Sequence, residues 1–363
     1  MIIIVISKMR YSKVYIESFG YELAPYIVTS DDIEKRLEPL YLALHVQKGQ
    51  LESLTGIRER RFWPPGFPIQ EGAIKAGQKA IDAAAIPVED IGILIYGGVC
   101  RENLEPAAAC AVAHGLKLNS ATQIYDVSNA CLGVINGIIQ IANAIELNQI
   151  RAGLVVSCES ARKIVDHTIE RMLLNRDMHT FKSSIATLTG GSGAVAVLLS
   201  DGTCGHRGKL NSGSKHRRQL LGGIVRNASQ YHGLCRWGPD TKQPDSGCHI
   251  METDSVAVLQ NGVSLGIETY KVLTQEMGWK HDKPDKVITH QVGAAHQRTI
   301  LQSIGVPEEK DFSTFKHLGN IGTVSLPITA AIAQEREFLQ SGDAVAFLGI
   351  GSGLNCIMLG LQW

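Results

Sequence analysis

A single thiol, Cys131, lies between the stretch Gln123-Ile-Tyr-Asp-Val-Ser-Asn129 and the apolar run Leu132 to Ile145. The first stretch alternates apolar residues (Ile124, Val127) as a short strand does, and the second carries them at helical spacing. A thiol at a helix N-terminus faces unpaired N–H groups and the positive end of the helix dipole. Both favour the thiolate, the form that attacks carbonyl carbons, so the expectation is a thiol more acidic than the ordinary value of about 8.5. A packed core cysteine is the other reading of the same residue, since free Cys is among the most buried types.

Two more residues and one loop have chemistry to offer at a distance in sequence. His290 ends the run Asp285-Lys-Val-Ile-Thr-His290 and Asn320 stands in Gly319-Asn-Ile-Gly322. Each has a structural reading as well, as a core histidine and as a left-handed turn residue. The loop Gly349-Ile-Gly-Ser-Gly353 lacks the Lys-Ser/Thr that follows a phosphate-binding loop, so it reads better as backbone approaching a substrate. A thiolate, a neutral imidazole and a side-chain amide together can build one reaction. The thiolate takes an acyl group as a thioester. Imidazole and amide N–H groups then hold the enolate oxygen of a second thioester, and the backbone N–H groups of Cys131 and Ser352 hold the tetrahedral oxyanion. That is Claisen condensation.

The elements that must position these residues repeat once along the chain. The first half reads as a buried strand over 90–98, the Cys131 strand–helix unit, and strands over 153–157 and 193–199. The second half replays the order with a strand over 285–291, a helix from Val324 to Phe338 preceded by Asn320, and strands over 344–348 and 354–358. Cys131 precedes Val155 by 24 residues and Asn320 precedes Val345 by 25. Such alternation predicts an α/β fold with buried sheets and places Cys131 and Asn320 at equivalent helix starts facing one cleft. The division expected is an N-terminal half over 1–203, an insertion loop region over 204–252 and a C-terminal half over 253–363. Residues 160–189 read as a polar excursion between strands. After the insertion, Thr253 or Asp254 is placed to cap a helix with Val256, Leu259, Val263 and Ile267 on one stripe.

Composition bounds the rest. The chain has 363 residues, 44% of them apolar, and a formal net charge of zero, which argues against a dedicated nucleic-acid binder. Eight cysteines without framework spacing suit a reducing cytoplasm, and no segment reaches membrane-spanning length. From Arg207 to Lys242 there are eight Lys or Arg against one Asp, read either as a solvated loop or as a lip for phosphates of coenzyme A or a carrier arm. Cys204, His206, Cys235, Cys248 and His249 lack the spacing of a closed zinc site, so no metal is expected. Met9 is a second candidate start, with the first eight residues as upstream read-through.

The order Ala130-Cys131, Thr289-His-Gln291, Gly319-Asn320 and a terminal glycine-rich turn resembles the thiolase-fold ketosynthases of the ketoacyl-ACP synthase III family. Thr55-Gly-Ile-Arg-Glu-Arg60 is similar to that family's N-terminal signature. The closer resemblance is to the olefin-pathway acyl-CoA condensing branch (OleA type), through segments such as Val99-Cys-Arg-Glu-Asn-Leu-Glu-Pro106 and Leu234-Cys-Arg-Trp-Gly238. The resemblance implies a duplicated, five-layered αβαβα fold in a homodimer. It implies acyl transfer in lipid metabolism from fatty acyl-CoA or acyl-carrier thioesters, with no cofactor and with an acyl carrier protein as a possible partner. Cys131, His290 and Asn320 become the catalytic set, and Glu105 becomes the base that enters the partner subunit's site to remove an α-proton. The malonyl-using type instead has a Trp and an Arg before its Thr-Gly-Ile, where this chain has Gln50 and Leu54, and an Arg where it has Ala295. Decarboxylative condensation of a malonyl extender is the second enzymatic reading, and a non-catalytic ketosynthase-like binding subunit the third.

Overall fold

The repeated order of elements folds as two sets of strands with the same sense of pairing. The computed structural model describes residues 7–204, 218–240, 249–280 and 282–363. After β1 (Ser7–Arg10) and β2 (Tyr15–Leu23), β3 (Tyr26–Thr29) pairs antiparallel with β4 (Glu59–Phe62) in a separate two-stranded sheet, with residues 30–58 between them. The first set is completed by β5 (Ile91–Gly97), β6 (Gln123–Val127), β7 (Ala152–Glu159) and β8 (Gly193–Ser200). The second contains β9 (Arg218–Asn227), β12 (Lys286–Thr289), β13 (Ala344–Gly351) and β14 (Asn355–Gln362). Between β9 and β12 lies a second two-stranded sheet, β10 (Cys235–Pro239) with β11 (His249–Thr253). β5 pairs parallel with β7, β7 antiparallel with β8, and β8 antiparallel with β2. β12, β13, β14 and β9 repeat that parallel, antiparallel, antiparallel sequence. A short pairing of Tyr15 and Ile16 with Gln219 and Arg218 joins the two sets edge to edge.

Helices fill three layers around these sheets. α4 (Ile69–Ala84) and α5 (Ala108–Gly115) pack on the outside of the first set with Ala76, Ala80, Leu94 and Val156. α6 (Gly133–Glu146) and α12 (Ser325–Glu335) lie between the two sets in one shared core. α9 (Ser255–Glu276) and α10 (Ala294–Ile304) cover the outside of the second set. This is the five-layered αβαβα arrangement. Because α6 is enclosed on both sides, it buries Val134, Ile135, Ile138, Ile139, Ile141 and Ile145 rather than a single stripe. Each such side chain is worth roughly 1.5–3 kcal/mol on burial.

Three expectations change. Residues 160–189 are not an excursion: they form α7 (Arg162–Asn175) and α8 (Met178–Leu188). With α1 (Ser30–Arg36), α2 (Glu38–Leu44) and α3 (Gln50–Thr55) these helices bury Ile33, Leu40, Ile169, Met172 and Phe181 in a core of their own, so their polar residues are only the outer face. β9 falls inside the stretch taken as an insertion, yet it runs beside both β14 and β1 in the sheet. Much of the basic run around it, 205–217 and 241–248, lies outside the described residues. Asp254 does cap α9, accepting from Ala257 N–H at 3.0 Å, but Val256 and Ile267 face outward. The buried stripe is Gly262, Val263, Leu265, Gly266, Thr269 and Leu273, because the two glycines let the helix approach Ile350 and Ile300.

Candidate active site

Cys131 is placed by a tight turn between β6 and α6. Ala130 takes a left-handed backbone (φ 44°), and Leu132 N–H closes the turn onto the Asn129 carbonyl at 2.8 Å. α6 begins at Gly133, which lies directly against the end of β5. A Cβ on Gly97 would stand 2.7 Å from the Gly133 carbonyl, so only glycine allows that approach. Cys131 itself is half-buried, but its sulfur has the surroundings of the interior. Burial pushes the thiol up to about 12, with the nearby Cys235 and Glu159 adding to the rise. The sequence expectation of an acidic thiol is therefore reversed: lost hydration outweighs the helix end, and the resting group is a thiol.

Asn320 follows α11 (Phe315–Leu318) and precedes α12. It is not a left-handed turn residue; Gly319 and Gly322 on either side take the positive φ values. Its backbone is pinned to the 189–191 loop, through Asn320 N–H to Thr189 O and Gly191 N–H to Asn320 O, both 2.9 Å. Its Oδ1 accepts from Gly322 N–H at 3.0 Å, which leaves the amide NH₂ as the free donor. The fully buried Arg60 supports this loop, its Cβ 3.1 Å from where a Gly319 side chain would begin. Thr323 Oγ1 then accepts from Val134 N–H at 2.8 Å, tying the start of α12 to the start of α6. The two equivalent helix starts do face one another.

His290 leaves β12 with its N–H on the Leu348 carbonyl (2.9 Å) and is buried. Burial, with His296 nearby, holds its imidazole neutral with a pKa lowered to about 3. Gln291 fixes the turn after it, accepting from Thr314 and Phe315 N–H and donating to the Thr289 carbonyl. From Leu348, β13 continues to Gly351, where an added Cβ would come 3.5 Å from Cys131 N. The turn 351–354 is held there by Asn355, which donates to Asn129 Oδ1 at 2.9 Å; Asn129 in turn donates to Asn136. The nucleophile's turn, the Ser352 turn and His290 thus converge on the end of β13.

Glu105 stands apart. It lies on an exposed loop beside Leu104, which is 101% exposed, and faces solvent in the single chain. That loop is rooted firmly: Val99 and Cys100 N–H both donate to the Glu159 carboxylate, at 3.0 and 3.3 Å. Its middle is held by Glu102 accepting from Ile69 N–H, and its far end by Asp126 accepting from Ala108 and Ala109 N–H. Glu159 is buried, and burial pushes its carboxyl up; it also stands 3.5 Å, through its Cγ, from a Cβ built on Gly322. Sequence reasoning missed Glu159 and His296. A lone acid closing the apolar strand 152–159 was a readable signal for the first; for the second there was none beyond its place six residues after His290. Among the described residues, no group of three His, Cys, Asp or Glu could hold a metal ion.

Set beside known proteins, residues 125–215 match the 3-oxoacyl-[acyl-carrier-protein] synthase III family and residues 274–363 its C-terminal family. The fold and the matched segments define a transferase of the thiolase-like, synthase III class. A protein of Shewanella oneidensis named acyl-CoA:acyl-CoA alkyltransferase is 51% identical over 98% of this chain and 100% of its own length. A Xanthomonas campestris pv. campestris protein of the same name is 34% identical over the same shares. The chain belongs to the acyl-CoA:acyl-CoA alkyltransferase (OleA) family. The crystal structure of cerulenin-bound Xanthomonas campestris OleA superposes with a TM-score of 0.89 at 32% identity, covering 98% of each chain. A cysteine-to-serine variant of that OleA with bound lauric acid and lauroyl-CoA superposes with a TM-score of 0.88 at 33% identity, over 97% of this chain and 100% of that one.

Proposed function

We propose that the chain condenses two fatty acyl thioesters, acyl-CoA in the first instance, in a non-decarboxylative Claisen reaction. The observation that carries this is the convergence of Cys131, the Ser352 turn and neutral His290 on β13, together with Asn320, its amide free, just ahead of Thr323, which ties the start of α12 to the start of α6. The Cys131 sulfur attacks the thioester carbonyl, and its proton leaves with the coenzyme A thiolate. The N–H groups of Cys131 and Ser352 hold the oxyanion of that step. A second acyl thioester then binds with its carbonyl oxygen toward His290 and Asn320, and a base removes its α-proton. The carbanion attacks the acyl-Cys131 carbonyl and releases a β-ketoacyl product.

Glu105 of the neighbouring subunit supplies the base in this reading. Its exposure on a loop anchored at both ends supports that assignment, as does the open edge of β6, the last strand of the sheet, with Ile124 exposed on it. The chain then works as a homodimer, and seven free cysteines among the described residues suit the cytoplasm. No described helix is long and apolar enough to cross a membrane. The test is mass spectrometry after incubation with a long-chain acyl-CoA alone, with extraction of products. Acyl-Cys131 together with a β-keto acid or its ketone is expected, and Cys131→Ser loses both. Acylation with ketone formed only on adding a malonyl donor would replace this reading by the decarboxylative one. Failure to acylate at all would leave a binding subunit.

A further inference from the structure

His290 leaves one polar atom unexplained. For His290 to donate to an enolate oxygen while neutral, its single N–H must be on the nitrogen facing the substrate, and the other nitrogen must be an acceptor. Nδ1 of His290 is buried without a hydrogen-bond partner. His296, on the first turn of α10, has a buried Nδ1 that is likewise unpartnered. Both rings line one cavity of about 20 Å³, whose other walls include Ile300, Leu348, Ile350 and Met358. About 10–15 Å³ suffices for one water, and a water is retained only where polar partners meet it. Thr289 and Cys356 also line this cavity, but the Thr289 hydroxyl is already engaged with Asp311 and Gln291 and a thiol is a weak partner, which leaves the two unpartnered imidazole nitrogens to hold the water.

The geometry points to His296 as a positioning residue that sets the tautomer of His290 through a single buried water. His296 Nδ1–H donates to the water oxygen, and the water donates to His290 Nδ1. That direction of donation leaves His290 with its proton on Nε2. Burial keeps both rings neutral, with pKa values lowered to about 3 for His290 and about 4 for His296, so each ring has one proton to place. An arginine or lysine in the place of His296 would satisfy Nδ1 as well, but at the cost of a buried charge in an apolar wall. The inference rests on the reading of His290 as the enolate-oxygen donor.

The experiment uses the full-length protein in three variants. His296→Phe keeps bulk and removes the donor; His296→Asn places an N–H₂ near the former Nδ1, and His296→Gln places it near the former Nε2. With lauroyl-CoA as substrate, His296→Phe is expected to keep acyl-Cys131 formation and lose about tenfold in condensation kcat, less than the roughly hundredfold or more for outright loss of an oxyanion donor because the His290 tautomer shifts only in part. Asn restores most of that loss and Gln does not. In parallel, ¹⁵N-histidine NMR reads the His290 tautomer, assigned by loss of its signals in His290→Asn. It should be Nε2–H in the parent and His296→Asn proteins and shift toward Nδ1–H in His296→Phe. An unchanged tautomer in His296→Phe, or equal rates for Asn and Gln, overturns the inference. If the tautomer shifts while condensation is unaffected, the positioning role stands and the donor role of His290 falls. Should His296→Phe not fold, the Asn–Gln pair carries the same test.

Discussion

Cys131 shows how one residue's chemistry is set by neighbours far away in sequence. Its position before a helix argued for an acidic thiol, but the enclosing sheets and the carboxylate of Glu159 push the thiol to about 12. Below its pKa a thiol gains about tenfold in thiolate per pH unit. Alkylation of the resting enzyme by iodoacetamide should therefore be slow at pH 7 and rise about a hundredfold by pH 9. A plateau already near pH 7 would show that the helix end prevails after all. Glu159→Gln removes a negative neighbour and should speed alkylation at fixed pH by roughly threefold to tenfold. The same change weakens the two N–H contacts at the root of the Glu105 loop, so condensation should fall even as the thiol becomes more reactive. A variant in which both rates fall together would mark Glu159 as merely structural. The types and order of Cys131, His290 and Asn320 were readable in the sequence because each closes a strand or opens a helix. Glu159 and His296 were not, because their importance comes from what the fold brings beside them.

At the scale of elements, strands that are buried on both faces were easy to read and half-covered ones were not. β7, β8 and β13 are largely apolar runs, whereas β2 and β9 carry half-buried polar residues such as Glu17, Glu22, Arg218 and Gln219. The helix after Asp254 was legible and its buried face only in part: Val263 is buried as expected and Leu259 packs against the core, but two glycines make the closest approach to neighbouring side chains. The contact of β5 with α6 obeys the same logic and is more consequential, because α6 carries the nucleophile's turn. Gly97→Ala forces a methyl group to within 2.7 Å of the Gly133 backbone. We expect a loss of about 1–3 kcal/mol in unfolding free energy, typical of overpacking, read from the denaturant midpoint. Acyl-Cys131 formation should slow more than stability alone accounts for, since the displaced element is the one that aims the thiol. Normal stability and normal acylation would mean that the two backbones can part without moving Cys131.

The whole molecule poses a question that its single-chain fold answers only by arrangement: which site does each Glu105 serve? The duplication gives every chain one complete set of Cys131, His290 and Asn320 on the inner side, while Glu105 is held out beside the fully exposed Leu104. The loop that carries it is rooted by Glu159 and clamped at its far end by Asp126. If Glu105 crosses to the partner, dimers of mixed composition separate the cases. A dimer of one Cys131→Ala chain and one Glu105→Ala chain, isolated with two different tags, then has one working site. It is made of the intact Cys131 from the second chain and the intact Glu105 from the first, so ketone formation should be about half that of the parent dimer, as expected for independent sites. A dimer of one parent chain and one chain carrying both substitutions should have none, because its only thiol faces the altered Glu105. If Glu105 serves its own chain, the two results exchange: the first dimer is dead and the second keeps about half its activity. Acyl-Cys131 formation is the internal control, since it requires only the thiol and should reach one acyl group per mixed dimer in both preparations.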